Sequence, residues 1–432
     1  MDQTALRPFG FWMATALVMG GMIGSGIFMM PAALAPFGWT GSIAWLISIA
    51  GALAIAFAMA RLAQTTPQAS GAVAVTGLAL GELTGVLVGW SYWVSVWCAN
   101  AAIATAGASY LAALIPALDA TPWIGALTSI ALLWLLTLLN LAGAKAAGRF
   151  QVVTTILKLT PLIAVIVIAI ALGAKGTAHL PAIPAAHTLF AGIATAVTLT
   201  LFPLVGFEAA GVAAERVRDP AHNVMRASMV GTALTGLLYV LVCSAIVLIL
   251  PSATVAASSA PFALFVGQFW GAGASQTIAL FAAIAAIGAL NGWVLLQGEV
   301  PLGMARAGLL PRWFGRVSPR DVPVGVLVLA SALSSILILT TASPTLGGVF
   351  EFMAIMATCA SLWLYLAICV AALRRRVAMP AAAIGLAFSL YAFVGAGEKA
   401  FLLSFVLMLT AVPLYFLRPR LAEQPPENAA VA

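Results

Sequence analysis

Charge is what this sequence has least of. Its 432 residues hold 19 Lys and Arg and 12 Asp and Glu, 7% in all, where a soluble globular chain carries about a quarter. Apolar residues make up 63% and the mean hydropathy is +1.11. That balance excludes an ordinary soluble domain and predicts a polytopic membrane protein. Histidine is scarce too: His179, His187 and His222 are the full set, and all fall in expected loops. There is no H-E-x-x-H, no G-x-S-x-G, no Walker loop and no metal-spaced group of Cys and His. An enzyme, a metal site and a cofactor are therefore not expected. The four cysteines (Cys98, Cys243, Cys359, Cys369) lie inside apolar runs, none in a C-x-x-C pair, and read as small core residues.

What is present is a series of apolar windows, each long enough to cross a bilayer with about 20 residues. They fall near 9–36, 40–60, 84–112, 122–143, 150–173, 188–213, 226–250, 276–300, 322–341, 348–373, 379–396 and 400–417. The first is too long for a signal-peptide core and reads as a span. The expectation is an all-α membrane protein of twelve transmembrane helices. With the N-terminus inside, 16 of the 19 Lys and Arg fall in cytoplasmic segments. Only Lys175 and Lys399 fall outside, and Lys158 lies within span 5. The positive-inside rule then puts both termini in the cytoplasm. The net charge of +7 is thus a topology signal, and no nucleic-acid partner is expected; the surroundings are a lipid bilayer.

Glycine and proline interrupt two of the spans. Span 1 carries "MGGMIGSGIF", with Gly20, Gly21, Gly24 and Gly26; span 6 carries "LFPLVGFEAAG", with Pro203 and Gly206. Broken helices in a membrane are tolerated only where they line a cavity or are buried in protein. Breaks five spans apart suggest two inverted repeats. The organisation expected is a cytoplasmic N-terminus (1–8), a first repeat (9–173), a second repeat (188–373), two further helices (379–417) and a cytoplasmic tail (418–432). A half-helix starting after "GSG" directs free N–H groups and a partial positive charge at the cavity, which suits a carboxylate. The break in span 6 exposes carbonyls, which suit an ammonium group.

Three motifs, "GSGIFMMPAALA", "GFEAAGVAAERVRDPAHNVMRA" and "GWVLLQGEVPLGMARAGLLP", resemble the amino acid–polyamine–organocation superfamily. The resemblance extends over nearly the whole chain. It is strongest to the bacterial basic amino acid/polyamine antiporters, the arginine–agmatine type included. It implies a LeuT-type 5+5 inverted-repeat fold with broken helices 1 and 6, and a bacterial inner-membrane location. It also implies exchange of small-molecule amino acids for amines, with a homodimer left open. Position by position, it places Ile23, Ser25 and Gly26 at the substrate carboxylate and the main-chain carbonyl of Val205 at the amine. Ser95, Val96, Asn100 and Ile103 of span 3 would line the pocket. Trp293 would pack on the substrate side chain, and Tyr92, Phe202 and Trp293 would gate it. Met356 and Ala357 stand where the arginine–agmatine antiporters have serines near the guanidinium. That departure keeps a second reading open, sodium-independent and proton-coupled transport of neutral amino acids.

Two charges lie within spans, and intramembrane charges are usually functional. Glu208 follows the break of span 6 and reads as a proton-titrating or amine-sensing group, or else as a cap on freed backbone. The same resemblance places Lys158 where sodium-coupled relatives bind a cation and implies that it takes that cation's place in coupling; burial, which lowers a lysine pKa, leaves proton release as the other reading. Glu299, Glu351 and Glu398 lie near helix ends and read as solvated or capping. Glu82 reads as interfacial. A channel, the other class considered, would show polar rings or filter loops.

Overall fold

The computed structural model describes residues 10–65, 71–142, 157–177, 180–190, 192–207, 217, 219–341 and 346–418. The described chain is helical, with no strand. Its main helices are α1 (Phe11–Met22), α2 (Ser25–Leu34), α3 (Trp39–Gln64), α4 (Ala72–Leu80), α5 (Glu82–Leu114), α6 (Pro122–Leu141) and α7 (Leu159–Ala174). They continue as α8 (Ile193–Leu201), α9 (Pro220–Ile249), α10 (Pro261–Trp270), α11 (Ala272–Arg306), α12 (Val324–Thr340), α13 (Leu346–Arg374), α14 (Met379–Leu409) and α15 (Ala411–Leu417). Several start where local chemistry dictates. Thr121 caps α6 by accepting from the Ile124 N–H at 3.3 Å, and Pro122, Pro220 and Pro261 open α6, α9 and α10, where a missing N–H costs nothing.

Among the described residues, eight stretches are long and apolar enough to cross a membrane, or nine when α1 and α2, bent by 50° at their junction, count as one. Two shorter apolar helices, α7 and α12, lie where spans 5 and 9 were expected. The last two windows form one 39-residue stretch, 379–417, with non-helical backbone at Gly397.

Burial and hydropathy are opposed at the extremes. An 18-residue window of 82–114 has the lowest mean hydropathy of the eight, 1.3, and is 89% buried; one in 379–417 reaches 2.3 and is 22% buried. Such an inversion is what a lipid solvent selects, with apolar surface outside and polar groups inside, where they need partners. On α5 those partners are present. Ser91 donates to the Ala360 carbonyl at 2.8 Å and Ser109 to that of Ser259 at 2.8 Å. The Trp93 indole donates to the Gln297 carbonyl at 2.8 Å. Helices α5 and α13 form the centre, and all four cysteines are buried and free, as the sequence implied. At one end Glu82 pairs with Arg418, whose guanidinium also lies over the Tyr415 ring at 4.3 Å.

Candidate functional site

The glycine-rich segment does break its helix. Ile23 (ψ 95°) and Gly24 (φ −139°, ψ −160°) are extended between α1 and α2. The Ile23 N–H closes the last helical bond of α1, to the Met19 carbonyl at 2.7 Å. The four carbonyls after it lose their helical partners in such a break, and two of them find side-chain donors. The Gly20 carbonyl accepts from Lys158 Nζ at 3.0 Å, and the Met22 carbonyl from the Tyr239 hydroxyl at 2.7 Å. At the start of α2, the first N–H groups have no intrahelical acceptor. The Ser25 hydroxyl beside them is fully buried, with no hydrogen-bond partner among the described residues.

The second break follows α8. Phe202–Leu204 form a single 3-10 turn, Val205 is extended (φ −60°, ψ 135°) and Gly206 has φ +114°. The Val205 N–H turns back to the Leu201 carbonyl at 3.2 Å, and the Phe207 carbonyl accepts from Ser228 at 2.7 Å. The two breaks meet. A Cβ on Gly206 would lie 3.4 Å from the Gly21 carbonyl oxygen, and one on Gly26 would lie 3.2 Å from the Phe202 ring and from Pro203. The segment that carries Ile23, Ser25 and Gly26 therefore lies against the segment that carries Phe202 and Val205. Glu208 lies outside the described residues.

The remaining candidates sit on the central helices. Tyr92, Ser95, Val96, Asn100 and Ile103 on α5 and Met356 and Ala357 on α13 are all buried. Phe202 packs edge-on to Phe350 of α13, with centroids 5.8 Å apart. Trp293 on α11 is partly buried, and its carbonyl accepts from Asn100 Nδ2 at 3.2 Å. Asn100 also donates to Gln297 Oε1 at 2.7 Å, so its amide ties α5 to α11. Lys158 is buried to 1% exposure beside the first break, where its ammonium meets a backbone carbonyl.

Sequence reasoning passed over two residues. Tyr239 of α9 supplies the hydroxyl that serves the broken helix, and Gln297 of α11 anchors Asn100. Each left a faint trace, a hydroxyl ring in "GLLYVLV" and a lone amide in "GWVLLQGEV". Neither trace reveals which segment it faces.

Two apolar helices interrupted at a shared centre, within an all-helical protein of many spans, define a polytopic membrane protein with backbone laid open inside it. The chain belongs to the amino acid permease family, which it matches over residues 9–426. It is 31% identical to a cadaverine/lysine antiporter of Escherichia coli K12 over 350 residues, 80% of this chain and 78% of that protein. It is 28% identical to the putrescine transporter PotE of the same strain over 436 residues, 96% and 97% of the two chains. The putrescine transporter PotE of Haemophilus influenzae is 28% identical over 424 residues, covering 95% and 96%.

Proposed function

We propose that this protein is a sodium-independent antiporter that exchanges a basic amino acid for its decarboxylated amine by alternating access. The meeting of the two breaks, Gly206 against Gly21 and Gly26 against Phe202, carries the reading. It sets the N-terminus of α2 and the unpartnered Ser25 hydroxyl close to the extended backbone of Val205. A carboxylate fits the first and an ammonium the second. The relatives named for cadaverine, lysine and putrescine support diamine-type substrates. Met356 and Ala357, which offer no hydroxyl to a guanidinium, fit lysine or ornithine better than arginine. Neutral amino acid transport loses ground accordingly.

The architecture proposed with this function has twelve spans in the inner membrane and both termini in the cytoplasm. Residues 9–173 and 188–373 form the inverted repeats, and 379–417 divides at Gly397 into two spans. At 1.5 Å per residue a helix of that length would reach about twice the thickness of the hydrocarbon core. Tyr92, Phe202 and Trp293 would gate the site. Lys158 would stand in for a coupling cation, and Glu208 would take part in the pH response.

The test is counterflow in proteoliposomes loaded with lysine, ornithine, arginine, cadaverine, putrescine, agmatine, leucine or alanine, following uptake of each labelled compound. Exchange of lysine for cadaverine or ornithine for putrescine is expected. Exchange confined to leucine and alanine would overturn the reading.

A further inference from the structure

A chain of buried hydrogen bonds leads away from Asn100, and all of its protons point the same way. Asn100 Nδ2 donates to Gln297 Oε1 at 2.7 Å and to the Trp293 carbonyl at 3.2 Å. Gln297 Nε2 donates to the Leu327 carbonyl at 3.3 Å and to Ser331 Oγ at 2.8 Å. Ser331 and Thr137 hydroxyls lie 2.8 Å apart. Thr137 gives its proton to the Leu133 carbonyl at 2.8 Å, so the Ser331 proton goes to Thr137. The relay crosses from α5 through α11 and α12 to α6, and Asn100, Gln297, Ser331 and Thr137 are all buried.

The direction is fixed by chemistry. A backbone carbonyl only accepts. The Leu327 carbonyl therefore forces the NH2 of Gln297 outward and its oxygen toward Asn100. The Trp293 carbonyl and Gln297 Oε1 together take both protons of the Asn100 amide. What is left is Asn100 Oδ1, which is buried with no partner among the described residues. A bare buried acceptor is costly, and a donor brought to it recovers that cost.

We propose that Gln297 is a positioning residue for specificity. It holds the Asn100 amide so that the site presents an acceptor, never a donor, at this point, and thereby selects substrates whose side chain ends in an N–H-bearing group such as a primary ammonium. The inference rests on the proposed placement of Asn100 beside the substrate. It adds that selectivity is set by Gln297 and Ser331, which do not themselves touch the substrate.

The test compares lysine with 2-aminoheptanoate, a neutral analogue with a methyl in place of the ε-ammonium, as competitors of labelled lysine exchange. Wild type should prefer lysine. Gln297→Met, close in length and without hydrogen-bonding groups, should reduce that preference about tenfold, mainly by raising the lysine KM. Gln297→Glu keeps an acceptor toward Asn100 and should retain the preference. Should Gln297→Met fail to fold, Ser331→Ala gives the second measurement. It leaves the Leu327 anchor in place and should reduce the preference severalfold. General damage to packing would weaken both competitors alike and leave their ratio unchanged. An unchanged ratio in the folded variants overturns the role of the relay. A wild type that exchanges neither lysine nor diamines overturns the substrate reading instead.

Discussion

The ammonium of Lys158 donates to the main-chain oxygen of Gly20 at 3.0 Å, joining the start of α7 to the last turn of α1. The Lys158 amine thus takes up a carbonyl freed by the first break, and the stand-in role proposed for it makes a sodium ion unnecessary. Uptake should be unaffected when sodium is replaced by choline. Lys158→Ala should lose most uptake, or retain it with a new requirement for sodium. Collapse of wild-type uptake in choline would remove Lys158 from its proposed role.

Tyr239 serves the same break from the other side, through its bond to the Met22 carbonyl. Tyr239→Phe deletes only the hydroxyl and keeps the ring against Trp45, 5.3 Å away between centroids. The bared buried carbonyl should cost about 1–3 kcal/mol. Thermal unfolding in detergent should show the loss, and uptake should fall with it. Equal stability of variant and wild type would mean that water or a neighbour replaces the hydroxyl.

Two glycines at the meeting of the breaks should respond differently to alanine. At Gly206 an added Cβ finds ordinary contact distance, 3.4 Å from the Gly21 oxygen. The obstacle is backbone conformation, because φ is +114°, and the strain is of order 1–3 kcal/mol. Gly206→Ala should lower stability measurably. Gly26 is helical, and its Cβ would press on the Phe202 ring and Pro203 at 3.2 Å. Gly26→Ala should fold, shift Phe202 and raise KM for the transported substrate. Reversal of the two effects would show that sterics rather than backbone strain governs the centre.

The breaks themselves were legible in the sequence, because four glycines in ten residues and a proline before glycine are local signals. So were Ser25, Gly26, Gly206 and Phe207, which the first two motifs contain. The partners of the freed carbonyls were not. Tyr239 and Met22 are 217 residues apart, Lys158 and Gly20 are 138 apart, and local pattern carries no information on such pairings. Asn100 shows a different limit. The family resemblance implies a site role for it, and the geometry commits both of its protons to neighbours, which leaves its oxygen for the proposed contact. The non-helical backbone at Gly397 falls between the last two apolar windows, where Glu398 and Lys399 interrupt the apolar run.

Trp293 provides the most direct check on the binding geometry. Its main chain is pinned by Asn100 at 3.2 Å, while its side chain stays only partly buried on α11. A tryptophan face attracts a cation by roughly 0.5–2 kcal/mol, more as water is excluded, and about 1.4 kcal/mol is one decade in affinity. Trp293→Ala should therefore raise the KM for lysine or cadaverine about tenfold. Trp293→Phe keeps a smaller aromatic face and should raise it less. The main-chain bond to Asn100 survives both substitutions, so a change in KM reports on the ring and not on the relay behind it. The decisive comparison is again lysine against 2-aminoheptanoate. Cation–π contact predicts that Trp293→Ala weakens lysine more than the neutral analogue, whereas simple apolar packing predicts equal loss for both. Unchanged KM values for both compounds in Trp293→Ala would place the indole away from the substrate.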